Sequence, residues 1–289
     1  MTYDALTAKI AERVGFEAVF VSGGSLSVCF TGLPDAGLTT MTEVLTVAQN
    51  IVNSVNVPVI VDIDTGWGNA INVRRTIQVF ARAGVAGVLL DDQLAPQRCG
   101  WVAGKQVISL EEAAGKYRAA ADSKNEIDPN FVVIARSDAR GAVGGSFEEA
   151  VRRGCAYIEA GADMAFLEAL TSLEEVERAG REIPGPKWFN YFAIKGTTWT
   201  MSQIKELGYS LIVTGAFYQA AGRAVWDFAT ALKQDGVSAM RNLNQSMKGH
   251  PLENMHAFAG FAEIRQMEEK YLPAQEVTRK YAETIGQRF

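Results

Sequence analysis

The chain has 289 residues, 48% hydrophobic and 21% charged, with a formal net charge of −5. This is the profile of a soluble globular protein with ample core, and it gives no basic footprint for nucleic acid or an anionic membrane surface. The three cysteines (Cys29, Cys99, Cys155) and two late histidines (His250, His256) exclude a disulfide framework, and a His-based zinc site or Ser-His-Asp triad in the body of the chain.

Residues 4–15 read as a short amphipathic helix ending at Gly15. Ala18-Val19-Phe20-Val21 is a buried strand, followed by the turn Ser22-Gly23-Gly24-Ser25. Its backbone N–H groups suit a carboxylate or phosphate, although such turns also serve as plain connectors. Thr40-Met41-Thr42-Glu43 is a capping box that opens a helix. Next comes an apolar, β-branched run, Val59-Ile60-Val61, which ends in Asp62 and Asp64. In an extended chain, i and i+2 point the same way, so both carboxylates are expected to leave one face of the strand end. Gly66 and Gly68 allow a tight turn and close approach to a ligand. Two convergent carboxylates suit a hard cation such as Mg²⁺. An N-cap plus a turn aspartate accounts for the same stretch equally well.

The beat repeats. Helix 71–83 leads to strand 87–90, which ends in Asp91-Asp92-Gln93. A loop over 95–105 precedes a helix capped at Ser109, and strand 131–135 ends in Arg136-Ser137-Asp138. Ser146 caps a helix that ends near Gly161, and strand 164–167 ends in Glu168. Ser172 caps again, 187–189 runs to Asn190, and a helix begins near Thr200. The strand at 210–215 is the last, and the chain is helical from about 218. Seven strand-like runs, each followed by a helix, predict a parallel sheet with right-handed crossovers. About eight such units make a (β/α)₈ TIM barrel of roughly 250 residues. A doubly wound sheet would bring a dinucleotide fingerprint, which is absent. The expectation is therefore an α/β (β/α)₈ TIM barrel as one domain, 1–289, with 218–289 a helical C-terminal extension. Because a helix comes before any strand, the first barrel strand is expected to be missing.

In such a barrel the chemistry sits at the strand C-termini. Ser22, Asp62, Asp64, Asp91, Asp92, Arg136, Asp138, Glu168 and Asn190 would form an acidic mouth there. Any one of them alone also reads as a cap or a loop salt bridge. Arg136 suits bidentate recognition of a carboxylate or phosphate. Cys29 and Cys155 read as buried hydrophobes. Cys99, flanked by Arg98 and Gly100, is expected to be a reactive thiol on a mobile loop, with Gly100 and Gly104 as lid hinges. No apolar run approaches a membrane span and no signal-peptide pattern opens the chain, so a reducing, cytoplasmic location is expected.

Several motifs together resemble the isocitrate lyase and phosphoenolpyruvate mutase superfamily, in its branch with methylisocitrate lyase and carboxyphosphonoenolpyruvate mutase. They are Ser22-Gly23-Gly24, Leu33-Pro34-Asp35, Asp62-Ile63-Asp64-Thr65-Gly66-Trp67-Gly68-Asn69, Asp91-Asp92-Gln93, Arg98-Cys99-Gly100, Arg136-Ser137-Asp138 and Phe166-Leu167-Glu168. The resemblance implies a (β/α)₈ barrel, often a tetramer with a swapped last helix, that binds a small 2-oxo or 2-hydroxy acid. It implies Mg²⁺, with Mn²⁺ as the alternative, held by Asp35, Asp62, Asp64 and Asp91. Ser22, Gly23, Gly24, Asp62, Gly100, Trp101, Arg136 and Asn190 would bind the substrate. Cys99 would be the general acid, with Arg136 and Glu168 also catalytic. The sequence departs from the lyases at Phe20, where they often carry Tyr, and at Gln97 and Trp101, where they carry Lys and His. Trp67, Trp101 and Phe192 hint at a bulkier or less charged substrate tail. The expected activity is a Mg²⁺-dependent cleavage of a C–C bond in a 2-hydroxy (di)carboxylic acid, releasing pyruvate or glyoxylate. The alternatives are an oxaloacetate-type hydrolase or decarboxylase, a phosphonomutase, or a non-catalytic oxo-acid-binding barrel. The expected partners are the small acid and further copies of the chain, as a homo-oligomer, with neither nucleic acid nor membrane.

Overall fold

The apolar runs become strands because β-branched and aromatic residues fit a sheet covered on both faces. In the computed structural model, residues 1–191, 199–287 and 289 are described. The strands are β1 (Val19–Val21), β2 (Val59–Asp62), β3 (Gly87–Asp91), β4 (Val132–Ser137), β5 (Met164–Leu167), β6 (Lys187–Asn190) and β7 (Tyr209–Val213). They form one curled parallel sheet in chain order, β1 to β7. α1 (Ala5–Val14) precedes β1, and between the strands run α2 (Gly23–Leu26), α3 (Met41–Val52), α4 (Ala70–Arg82), α5 (Leu110–Ile127), α6 (Phe147–Glu159), α7 (Leu173–Glu182) and α8 (Met201–Glu206). The expected caps form: Thr40 and Glu43 make the reciprocal box on α3, and Ser109, Ser146 and Ser172 each accept the backbone N–H three residues on.

The seam before β1 holds no strand, but it is not bare. Thr2 makes a single parallel bridge to Val21, its N–H donates to the Phe20 carbonyl (2.7 Å), and the Met1 amine reaches the Thr214 carbonyl after β7 (3.4 Å).

Side-chain alternation divides the core. Inside the curl, Phe20, Leu89, Ile134, Phe166, Trp188 and Val213 pack together. Phe20 meets Trp188 edge-on at 4.8 Å between ring centroids. The opposite face, with Val61, Val88 and Val133, packs on Ile77, Phe80 and Tyr117 from α4 and α5.

The chain forms two compact units, Met1–Ala220 and Ala221–Phe289. α9 (Phe217–Asp235) begins in the first. The second continues with α10 (Val237–Ser246), α11 (Met255–Ala259), α12 (Phe261–Tyr271) and α13 (Ala274–Ala282). Arg265 stacks over the Tyr281 ring at 3.7 Å, and Glu268 accepts from Lys280 and Tyr281, which ties α12 to α13.

Candidate active site

The period of two that buries one side chain aims the one two residues later. Phe20, Ile60, Leu89, Ile134, Phe166 and Trp188 lie inside the curl. Ser22, Asp62, Asp91, Arg136, Glu168 and Asn190 follow each at i+2, at the C-terminal strand ends. Ser22, Gly24, Asp35, Asp62, Cys99, Gly100, Trp101, Arg136, Glu168 and Asn190 line one cavity of about 400 Å³, together with Tyr218 and Gln219 at the start of α9. Asp64, Asp91 and Gly23 lie behind this lining; all three are buried.

Asp62 and Asp64 do converge, by a different route from the strand pleat expected. β2 ends at Asp62, and Asp64 sits in a turn with φ 47°, its N–H donating to Asp62 Oδ1 (3.2 Å). The Gly23 N–H donates to Asp62 Oδ2 (3.2 Å). A Cβ on Gly23 would lie 2.9 Å from Asp64 Oδ1 and 3.1 Å from Asp62 Oδ2, so this glycine is the cradle in which the two carboxylates meet. Gly24 is similarly close to Asp35, 2.8 Å from Oδ2. Burial, together with Asp35, pushes the Asp62 carboxyl up to about 6, although Arg136 opposes this. Burial and neighbouring aspartates raise Asp64 and Asp91 well above the usual range.

Among the described residues, no three His, Cys, Asp or Glu side chains stand close enough to cage a cation unaided. The donor set still fits a hydrated hard cation, which takes one or two carboxylates and fills its shell with water and ligand oxygens. Asp62, Asp64 and Asp91 have no salt-bridge partner among the described residues.

The opposite wall is compensated. Arg136 donates from Nε and Nη2 to Asp138 (2.8 and 3.1 Å) and stands 3.6 Å from Glu168. Burial opposes its charge, but Asp138, Glu168 and Asp91 hold it protonated. Asp138 lies low, because Arg136 and Lys105 outweigh the effect of its burial.

The loop between β3 and α5 lies down on this mouth. Gln93 fastens it through both amide atoms to the Arg98 backbone (2.9 and 3.0 Å), and the Cys99 N–H donates to the Asp35 carbonyl (3.1 Å). The Cys99 thiol differs from expectation. It is half-buried, and burial, assisted by Asp35 and Glu168, raises it above the usual thiol value. Arg98 does not activate it, since that guanidinium turns to the Ala103 carbonyl (3.4 Å). The thiol therefore stays protonated at neutral pH, as a proton donor requires. Gly104 is left-handed (φ 88°), whereas Gly100 is a close-contact position, where a Cβ would sit 2.5 Å from Glu168 Cγ.

Two expected participants lie elsewhere. Asp92 points away from the mouth, one residue out of phase with Asp91, and accepts from Ser137 Oγ (2.9 Å), Tyr157 (2.6 Å) and Arg153 (3.2 Å). Trp67 stacks on Phe80 and donates to the Thr39 carbonyl (2.9 Å), so it shapes no substrate tail. Phe192 lies outside the described residues. Sequence reasoning marked Gln97 only as a departure from the lyases, whereas its amide donates to both Asp35 (2.9 Å) and Asp64 (3.0 Å). It passed over Lys105.

The chain is 39% identical over 274 residues to the 2,3-dimethylmalate lyase of Eubacterium barkeri, covering 93% of this chain and 91% of that one. A crystal structure of a 2,3-dimethylmalate lyase, described as a PEP mutase/isocitrate lyase superfamily member, superposes with a TM-score of 0.84 at 31% identity, covering 94% of this chain and 89% of that one. A phosphonopyruvate hydrolase complex with oxalate and Mg²⁺ superposes with a TM-score of 0.83 at 30% identity, covering 94% and 93%. The phosphoenolpyruvate phosphomutase family model matches residues 1–233. That span includes every strand and all the cavity residues above, and the chain belongs to the phosphoenolpyruvate mutase and isocitrate lyase superfamily.

Proposed function

We propose that this chain is a divalent-cation-dependent lyase that cleaves a C–C bond of a 2-hydroxy (di)carboxylic acid and releases a 2-oxo acid such as pyruvate or glyoxylate. One observation carries the reading: a single cavity brings the Asp62 carboxylate, which forms no salt bridge among the described residues, the Arg136 guanidinium and the protonated Cys99 thiol together. The named lyase relative of matching length supports it.

Asp35 and Asp62 in the lining, with Asp64 and Asp91 behind them, would hold Mg²⁺ or Mn²⁺, directly or through water. Such a cation, when bound, supplies Lewis acidity at the substrate's C2 oxygen. Arg136 binds the substrate carboxylate, and Ser22 with the Gly23–Gly24 turn faces its oxygens. Gly100, Trp101 and Asn190 flank the remainder. Glu168, in the cavity lining, accepts the 2-hydroxyl proton directly or through a water, and this deprotonation starts a retro-aldol cleavage. The electrons of the broken C–C bond pass to the leaving fragment as an enolate. Cys99 gives its proton to the enolate carbon. The loop over the mouth excludes water while the enolate exists.

We also read the curled sheet as a TIM barrel whose seam is completed by residues 1–2, within one domain extended by the helical tail 218–289. We take the enzyme to be cytoplasmic and homo-oligomeric, a dimer or tetramer that exchanges tail helices. The exposed Val225 and Trp226 (76% exposed) on α9 support an oligomer contact there.

A panel of 2-alkyl and 2,3-dialkyl malates and alkylcitrates, assayed with Mg²⁺ for release of 2-oxo acid, tests the reading. Turnover of at least one malate or citrate, lost in Cys99→Ala, is expected. Turnover of oxaloacetate or phosphonopyruvate alone would move the assignment to hydrolysis. Oxalate binding without any turnover would reduce the chain to a binding barrel.

A further inference from the structure

Lysine is the side chain least often buried, because its ammonium gives up strong hydration. Lys105 is nevertheless only 3% exposed. Its Nζ donates to the Gly100 carbonyl (2.7 Å) and to Asp138 Oδ1 (2.9 Å). Gly141 closes the space beside it, so that a Cβ there would lie 3.2 Å from Nζ. The two acceptors belong to different parts of the site. Asp138 is part of the sheet's rigid frame, its N–H held by Asp92 (2.8 Å) and its carboxylate by Arg136. Gly100 belongs to the loop and follows Cys99 directly. A Cβ on Gly100 would meet Arg136 Nη2 at 2.7 Å and Glu168 Cγ at 2.5 Å, so this peptide rests on the Arg136–Glu168 pair with no slack.

We propose that Lys105 is a positioning residue that latches the Cys99–Gly100 peptide onto Asp138, and so fixes the thiol against the Arg136–Glu168 pair. The inference rests on the lyase reading for its catalytic meaning, but the latch itself is a property of the loop. Gln93 to Arg98, Gln97 to Asp35 and Asp64, and Cys99 N–H to Asp35 secure the limb before the tip, and the Val102 N–H closes the tip on the Cys99 carbonyl (2.8 Å). Lys105 secures the tip from the far side. Its loss leaves Asp138 still paired with Arg136, so substrate binding should survive while delivery of the proton does not.

The test is Lys105→Met, which keeps the stem and removes the ammonium. Alkylation of Cys99 by iodoacetamide, with no ligand added, is followed by peptide mapping, and the half-buried Cys155 serves as internal control. The latch predicts Cys99 alkylation about tenfold faster than wild type with Cys155 unchanged. It also predicts a kcat lower by about 100-fold with KM within about threefold. If Cys155 also accelerates, Lys105→Ala is assayed with and without a small alkylammonium ion. Restored protection of Cys99 by the amine supports the latch, and no restoration overturns it. Wild-type alkylation of Cys99 in Lys105→Met, or a loss carried by KM alone, overturns it too. If wild-type protein turns over no acid, the lyase reading fails while the alkylation result still decides the latch.

Discussion

Asp138 follows β4 and Asp62 ends β2; both are buried beside the same cavity, and their surroundings drive them in opposite directions. Asp138 receives Arg136 and Lys105 and is held below the usual carboxylate range. Asp62 accepts hydrogen bonds from the Gly23 and Asp64 backbone N–H groups and forms no salt bridge among the described residues, and burial with Asp35 outweighs Arg136 and pushes it up to about 6. Its neighbours Asp35 and Asp64 share only the neutral amide of Gln97. Where the protein answers a buried charge itself, the charge becomes scaffold. Where it leaves the charge unanswered, the site is ready for a cation from solution.

The largest effect expected from breaking this contrast is Asp62→Asn. Turnover should fall about 1000-fold, the loss expected when several kcal/mol of charge stabilisation disappear. Metal-free protein should become more stable at pH 8. The Asp62 carboxyl is raised from 3.8 to about 6, so its ionisation in the folded state costs about 3 kcal/mol there. Thermal unfolding of the metal-free variant checks this, and a Tm lower than wild type at pH 8 would contradict it. Cys99→Ser should lower kcat about 100-fold and leave Mg²⁺-oxalate affinity within about threefold, by calorimetry.

A milder change in pH sharpens the comparison. A raised carboxyl leaves stability intact below the unfolded value near 3.8 and removes it as pH rises through about 6. Metal-free stability should therefore fall from pH 5 to pH 8, and the Tm gained on adding Mg²⁺ should grow over the same window. Equal Mg²⁺ shifts at both pH values would contradict the unanswered-charge account. The smallest effect is Trp67→Phe. It removes a hydrogen bond to Thr39 remote from the cavity, so it should cost about 1 kcal/mol of stability and leave turnover within about twofold.

Periodicity and caps carried most of the fold. The run Val59-Ile60-Val61 announces β2 because only a strand covered on both faces tolerates it, and Ser146 announces α6 because its hydroxyl serves the Glu149 N–H. The strand-end ring was legible because side-chain alternation is local. It misled at Asp92, where the sequence does not say which of two adjacent aspartates faces inward. Asp64 was right in place and wrong in cause, since a left-handed turn rather than a pleat brings it to Asp62. Lys105 was illegible, because lysine in a polar loop defaults to solvent and only the fold supplies Asp138 and the Gly100 carbonyl. The seam was illegible for a similar reason: a single bridge at Thr2 has no periodicity to read.

The most direct test of the central claim is the thermal shift of wild-type protein with oxalate, in the presence of Mg²⁺ and then of chelator. The account predicts that oxalate raises Tm only when Mg²⁺ is present, because the Asp62 wall repels an anion until a cation neutralises it. An equal oxalate shift in chelator would mean that Arg136 alone holds the anion, and that the acidic wall is not a metal site.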